Sequence, residues 1–271
     1  MSPVILKTIK IRKRYLVALV LLVFLSFYLT GVQSDRAERQ AVEAMSQALA
    51  SRVIVVDPGH GGVEPGVVGK SGVQEKEITL AVSKLLADNL ARAGAMVLMT
   101  RETDGDLSDP ATAGLTAKKR EDLERRVAVA NDNRADLYIS VHVNSFPDAS
   151  RSGARVYYQP GAIQGGKAGR HIQSEISQVL KNTGRQPAEV DYYITRNTSM
   201  AAVVVEAGYI SNEAEEKLLL DPIYQSKLAW AIYAGAVKYF AVENPPVQDP
   251  PGNEKVIQTF KEQEKQILKE P

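Results

Sequence analysis

The sequence predicts an α/β fold: a single domain on a mostly parallel, twisted sheet flanked by helices, preceded by an N-terminal membrane segment. Three observations carry this expectation. Short apolar runs alternate with helix-periodic stretches from residue 52 to residue 242. Within them, VIVV and VVV are continuous rather than alternating, as strands buried on both faces are. Finally, a basic cluster at the start of the chain is followed by twenty residues, 15–34, without a charge.

RVIVV reads as the first strand, stopped by Asp57-Pro58-Gly59. EKEITLAVSKLLADNLARAG is a helix with Ile78, Leu80, Ala81, Leu85, Leu86 and Leu90 on its apolar side and Gly94 at its end. AMVLMT is the second strand. Residues 103–117, TDGDLSDPATAGLTA, are polar and broken by Gly and Pro, so they form a loop. KKREDLERRVAVANDN is the next helix and DLYISVHV the strand after it. GARVYYQ is a further strand, leading into a helix predicted from Ala168 to Asn182. AAVVVE is a late strand, and PIYQSKLAWAIYAGAVKYF closes the domain as a helix.

Around this core, residues 1–14 form a basic cytoplasmic flank holding Lys7, Lys10, Arg12, Lys13 and Arg14. Residues 15–33 are long enough to span a bilayer, which needs about 20 apolar residues as a helix. They read as an anchor, with Val32-Gln33-Ser34 as the rival cleavage site of a signal peptide. Either way the folded part is extracytoplasmic, membrane-anchored or secreted. Residues 34–51 place Val42, Met45 and Leu49 at helical spacing and read as a stalk helix. Residues 52–242 are the folded domain, and 243–271 a Pro-rich linker with a charged tail.

Composition narrows the function. The net charge is +1, and the first 33 residues hold five bases and no acid, so the remainder carries −4. A nucleic-acid binder would carry a basic surplus on its folded part, so nucleic acid is excluded as a partner. With no cysteine in the chain, a thiol nucleophile, a thiolate zinc site and a disulfide framework are excluded too.

In open α/β sheets, ligands bind beyond the carboxyl ends of the strands. Four chemically capable residues fall at such ends or at a helix start: His60 after VIVV, Glu75 at the start of EKEITL, His142 near the end of DLYISVHV, and Glu206 at the end of AAVVVE. Two imidazoles and one carboxylate suit a catalytic zinc with an open fourth position. A separate carboxylate can then carry a proton from water to a leaving group. Each residue also has a structural reading. His60 fits a turn, Glu75 complements a helix dipole, and His142 fits a satisfied core histidine. Glu206 is the exception, because a lone acid closing an apolar strand is costly to bury without a partner. His171, on a polar helix face, reads as a solvated side chain.

DPGHGG followed by Glu75-Lys76, then Thr100-Arg101, LERRVAVAN, ADLYISVHVNS and VVVEAGYISNEAE resemble the zinc-dependent N-acetylmuramoyl-L-alanine amidases of the type 3 class. The resemblance spans roughly Val53 to Phe240, with the motifs in the family's order. It implies the sandwich of zinc amidases and carboxypeptidases, with His60, Glu75 and His142 as zinc ligands and Glu206 as the acid–base residue. The substrate implied is peptidoglycan, cut at the amide between N-acetylmuramic acid and L-alanine. Ala201 departs from the family, where proline often precedes the last strand. Within the family the chain is similar to the CwlD-like spore-cortex and germination amidases, in which a partner deacetylase completes muramic δ-lactam formation. Arg101, Asn144 and the loop 103–117 are candidates for the peptide groove.

Two rivals stand beside this expectation. A zinc carboxypeptidase would use a His-x-x-Glu pair, whereas the acid nearest after His60 is Glu64, one residue too far. A non-catalytic wall-binding protein would keep the fold without the chemistry, against which all four site residues are intact. A phosphate-cradling reading of DPGHGG fails because the Gly-Lys-Ser/Thr ending is missing.

Overall fold

The computed structural model describes residues 48–181 and 184–243. The predicted flank 1–14, the membrane segment 15–33, the stalk helix up to residue 47 and the tail from residue 244 lie outside the described residues. No described helix is long and apolar enough to cross a membrane.

Six strands form one sheet in the order β2-β1-β3-β6-β4-β5. They are β1 Val53–Pro58, β2 Met96–Met99, β3 Leu137–Asn144, β4 Arg155–Tyr158, β5 Ala188–Glu189 and β6 Ala201–Tyr209. β2, β1, β3 and β6 run parallel, β4 is antiparallel to β6, and β5 is parallel to β4. The sheet is therefore mixed, and the reversal has a simple cause. Only residues 145–154, with no helix among them, join β3 to β4, and a parallel return needs a crossover of about a dozen residues or more, usually helical. The central strands are fully buried, as their unbroken apolar runs require: Ile54, Val55, Val56, Leu137, Ile139, Val141, Val203 and Val205.

Among the described residues the helices are α1 Glu75–Arg92, α2 Leu115–Asp132, α3 Ile163–Leu180, α4 Tyr193–Asn197, α5 Glu213–Leu219 and α6 Pro222–Glu243. α6 packs along both α1 and α3. α2 and α4 cover a cluster in which Val127, Ala130 and Ile194 meet Val55, Tyr138 and Val204 of the sheet. α3 starts five residues before the predicted Ala168. Gly165, Gly166 and Gly169, which argue against a helix by propensity, let its first turns lie close against Tyr158 of β4. Packing overrides propensity there. α2 likewise begins at Leu115, inside the predicted loop 103–117, and the short β5, α4 and α5 carry no periodic signal in the sequence.

One irregularity falls at the carboxyl end of the sheet. His142 of β3 lies opposite Glu206 of β6, but Asn144 lies opposite Tyr209, so β6 holds one extra residue there. Such a bulge bends its strand and re-aims side chains, and bulges collect beside active sites.

Candidate metal centre

β1 ends in a ledge, Gly59-His60-Gly61-Gly62, and His60 sits on it at φ +61°, in the left-handed region. A non-glycine residue stays there only when its surroundings fix it, and here they do. The Gly59 N–H donates to Val141 O of β3 at 2.9 Å. Three successive carbonyls, those of Pro58, Gly59 and His60, accept from two buried arginines. Arg126 of α2 donates to Pro58 O and to His60 O, each at 2.7 Å. Arg101, which follows β2, donates to Pro58 O at 3.1 Å and to Gly59 O at 3.0 Å.

Asp57 completes this network. Its carboxylate accepts from Arg126, from the Thr100 hydroxyl and from the Ser140 hydroxyl of β3, each at 2.6 Å. Burial by itself would raise the Asp57 pKa, but the Arg126 cation and the two hydroxyls outweigh it and hold the group down at about 2. Arg101 also donates to Lys76 O at 2.8 Å, one residue past Glu75. The buried network thus joins the three segments that carry His60, Glu75 and His142. Arg101, a groove candidate in the sequence, lies beneath the ledge and is only 5% exposed.

Above the network the three predicted residues converge. Glu75, buried in the first turn of α1, places one carboxylate oxygen 3.1 Å from His60 Nε2 and the other 3.1 Å from His142 Nδ1. The same two oxygens accept from the Val67 N–H at 3.0 Å and from the Val143 N–H at 2.8 Å. Burial opposes charge on Glu75, yet the bonds to His142 and His60 hold its pKa far below the usual carboxylate range. Burial likewise disfavours the charged His60 ring, but Glu64 and Glu75 raise its pKa to about 9. The two rings meet edge to face, centroids 4.9 Å apart. Two glycines make room for this. A Cβ on Gly59 would land inside the His142 ring, and one on Gly66, at φ +70°, would overlap Glu75 and crowd His60.

One ligand-capable atom from each of His60, Glu75 and His142 lies within 4.8 Å of the others. Two imidazoles and a carboxylate at that spacing fit a divalent metal. Glu206 stands next to them, opposite His142 in the sheet. It is buried, and among the described residues its Oε2 has no hydrogen-bond partner. Burial pushes its carboxyl up to about 7, against the pull of His142 and with the help of the Glu75 charge. A buried, unpartnered carboxylate beside a metal-competent triad is suited to accepting and returning a proton. All four face an open cleft of about 490 Å³, whose wall also includes Asn144 and Ser145.

The remaining candidates fall elsewhere. From the loop 103–117, Asp104 accepts from the Gly62 N–H at 2.9 Å and from Lys76 Nζ at 2.7 Å, so that loop braces the ledge. His171 lies 3.5 Å from Glu243, at the end of α6, rather than free in solvent. Sequence reading missed Asp57, Arg126 and Glu215. Glu215 is buried on α5 and accepts from the Gly153 N–H at 2.8 Å and the Tyr209 N–H at 3.0 Å, pinning the bulged end of β6. A faint signal existed for Arg126: with Asp122 it interrupts the face of α2 that carries Val127 and Ala130.

The chain is similar to known proteins. The family model described as N-acetylmuramoyl-L-alanine amidase matches residues 54–238. The germination-specific N-acetylmuramoyl-L-alanine amidase of Bacillus subtilis is 36% identical over 86% of this chain and 95% of its own length. The CwlD amidase of Clostridioides difficile, solved in complex with the GerS lipoprotein, superposes with a TM-score of 0.69 at 33% identity, over 71% of this chain and all of that one. The catalytic domain of CwlV, an amidase from Paenibacillus polymyxa, gives 0.61 at 29% identity over 69% of this chain and 97% of that one.

Proposed function

The chain belongs to the N-acetylmuramoyl-L-alanine amidase family, and from that premise we propose how its cleft hydrolyses the amide between N-acetylmuramic acid and L-alanine in peptidoglycan. His60, Glu75 and His142 would hold a zinc ion. When bound, zinc supplies Lewis acidity that polarises the lactyl carbonyl and acidifies water. Glu206 accepts the proton of the attacking water and returns it to the alanine nitrogen as the C–N bond breaks. The ledge network, through Arg126 and Arg101, fixes the backbone that carries His60 and the start of the helix that carries Glu75.

The observation that carries this reading is Glu206 Oε2, buried and without a partner beside the convergent triad. The test is mass spectrometry of muropeptides after incubation of the full chain with peptidoglycan, with metal content measured in parallel. Glu206→Gln is expected to retain zinc and to release no peptide with an amino-terminal alanine, whereas His142→Ala loses the zinc. Full activity in Glu206→Gln overturns the assignment. Release of single amino acids instead would point to a carboxypeptidase.

The similarity to a germination-specific amidase supports a role in spore cortex maturation, with a deacetylase acting on the same glycan. The peptidoglycan substrate and the apolar segment 15–33 support an extracytoplasmic enzyme held at the membrane through its N-terminus.

A further inference from the structure

A second cavity, of about 240 Å³, adjoins the metal cleft; Glu64 and Pro65 belong to the walls of both. Its surface is mainly apolar, and two of its walls are large side chains left in solvent, Val63 at 55% and Leu115 at 71% exposure. Exposed hydrophobes gathered around a concavity mark a binding surface rather than a stray leucine.

Sheet order gives this surface a direction. Across the carboxyl edge the strands run β1, β3, β6, β4, and the side chains follow: His60 after β1, His142 on β3, Glu206 on β6, and Arg155 on β4 opposite Glu206. The second cavity lies beyond His60, at Glu64, so the triad separates it from Glu206. Glu206 must reach the departing nitrogen, which puts the amine half of the substrate toward β6 and β4. The acyl half, bearing the sugar, then extends past His60 into the second cavity.

Charge supports the same direction. The cavity is lined by three carboxylates, Glu64, Asp106 and Asp122, against two lysines, Lys118 and Lys119. Glu64 is tied to Lys119, and Asp122 accepts from Arg126 at 2.7 Å and from the Leu107 N–H at 2.8 Å. Paired charges and fixed acceptors around apolar walls suit a neutral ring with hydroxyl and acetamido groups. At the other end stand two cations. The guanidiniums of Arg155 and Arg185 lie 5.4 Å from the ring centres of Tyr157 and Tyr209, respectively.

We propose that the cavity walled by Val63, Pro65 and Leu115 is the glycan subsite, holding an N-acetylated sugar ring of the acyl half while the peptide leaves over Glu206 toward β4. This rests on the amidase reading with Glu206 as proton carrier.

Leu115→Asp tests it, because at such exposure the substitution leaves the fold intact. Steady-state kinetics of the full-length, zinc-loaded chain are compared on two soluble substrates with the same peptide and scissile amide. One carries a GlcNAc–MurNAc disaccharide and the other only the lactyl group. The variant is expected to raise KM for the disaccharide substrate about tenfold, with kcat unchanged and the lactyl substrate unaffected. Peptide-free glycan strands should bind Glu206→Gln in calorimetry and lose that binding when Leu115→Asp is added. An equal loss on both substrates, or a loss that follows peptide truncation, overturns the subsite. A wild-type chain that cleaves neither substrate overturns the amidase reading instead, so the two failures are distinguishable.

Discussion

Arg126→Ala removes the cation beneath the ledge, and its cost follows from the bonds it breaks. Arg126 is 2% exposed and bonds Asp57, Asp122, Pro58 O and His60 O. Deleting one partner of a buried ion pair costs about 3–5 kcal/mol, because the remaining charge stays buried without its counter-charge. Asp57, 1% exposed, would keep only the hydroxyls of Thr100 and Ser140. About 4 kcal/mol is a large share of the roughly 5–15 kcal/mol that holds a domain together. In a domain of this size it lowers Tm by roughly 8–16 °C. Scanning calorimetry of metal-stripped protein reads this directly. Zinc affinity by chelator competition is expected to fall as well, by about 10–100-fold, because His60 loses the bond that fixes its carbonyl. A Tm within about 2 °C of wild type and an unchanged zinc affinity would refute the idea that the arginine clamps the ledge.

Two further outcomes follow from the same site. The Asp57 carboxyl is lowered to about 2 from its ordinary 3.8, so its stabilisation is complete above the unfolded value and lost as pH falls through the folded one. Unfolding of metal-free protein is expected to show about 2 kcal/mol of lost stability between pH 4 and pH 2, and Asp57→Asn should flatten that slope. Gly59→Ala drives a methyl into the His142 ring. Zinc occupancy by elemental analysis should fall more than about tenfold while circular dichroism keeps the α/β signature, and a variant with full zinc would remove the need for glycine there.

Much of the site was legible because strand ends are readable. Each of His60, His142 and Glu206 closes or follows an apolar run, and Glu75 opens an amphipathic helix, so topology alone brings them to one edge. The support beneath them was not legible. Arg126 lies in KKREDLERRV, where a run of charges reads as a solvated face, and its partner Asp57 lies 69 residues away. Periodicity carries no information about such a pairing. Arg101 was visible as a strand-end cation but was assigned to the wrong side of the ledge, because sequence does not tell a side chain facing the cleft from one facing the core. The early start of α3 was hidden by its glycines, whose low propensity is offset by close approach to Tyr158. The reversal of β4 follows from the length of a connection rather than from anything within the strand.

The extra residue in β6 makes the site depend on counting as well as on chemistry. Side chains alternate along a strand, so without the bulge Glu206 and Tyr209 would point to opposite faces. With it, Glu206 lies opposite His142 and Tyr209 opposite Asn144. Deleting Ala207 or Gly208 would therefore change no proposed catalytic residue and yet remove the bulge, shifting by one position the chain that follows it, including the Tyr209 N–H that bonds Glu215. The end of β6 should tolerate exchanges of side chain far better than a change of length by one.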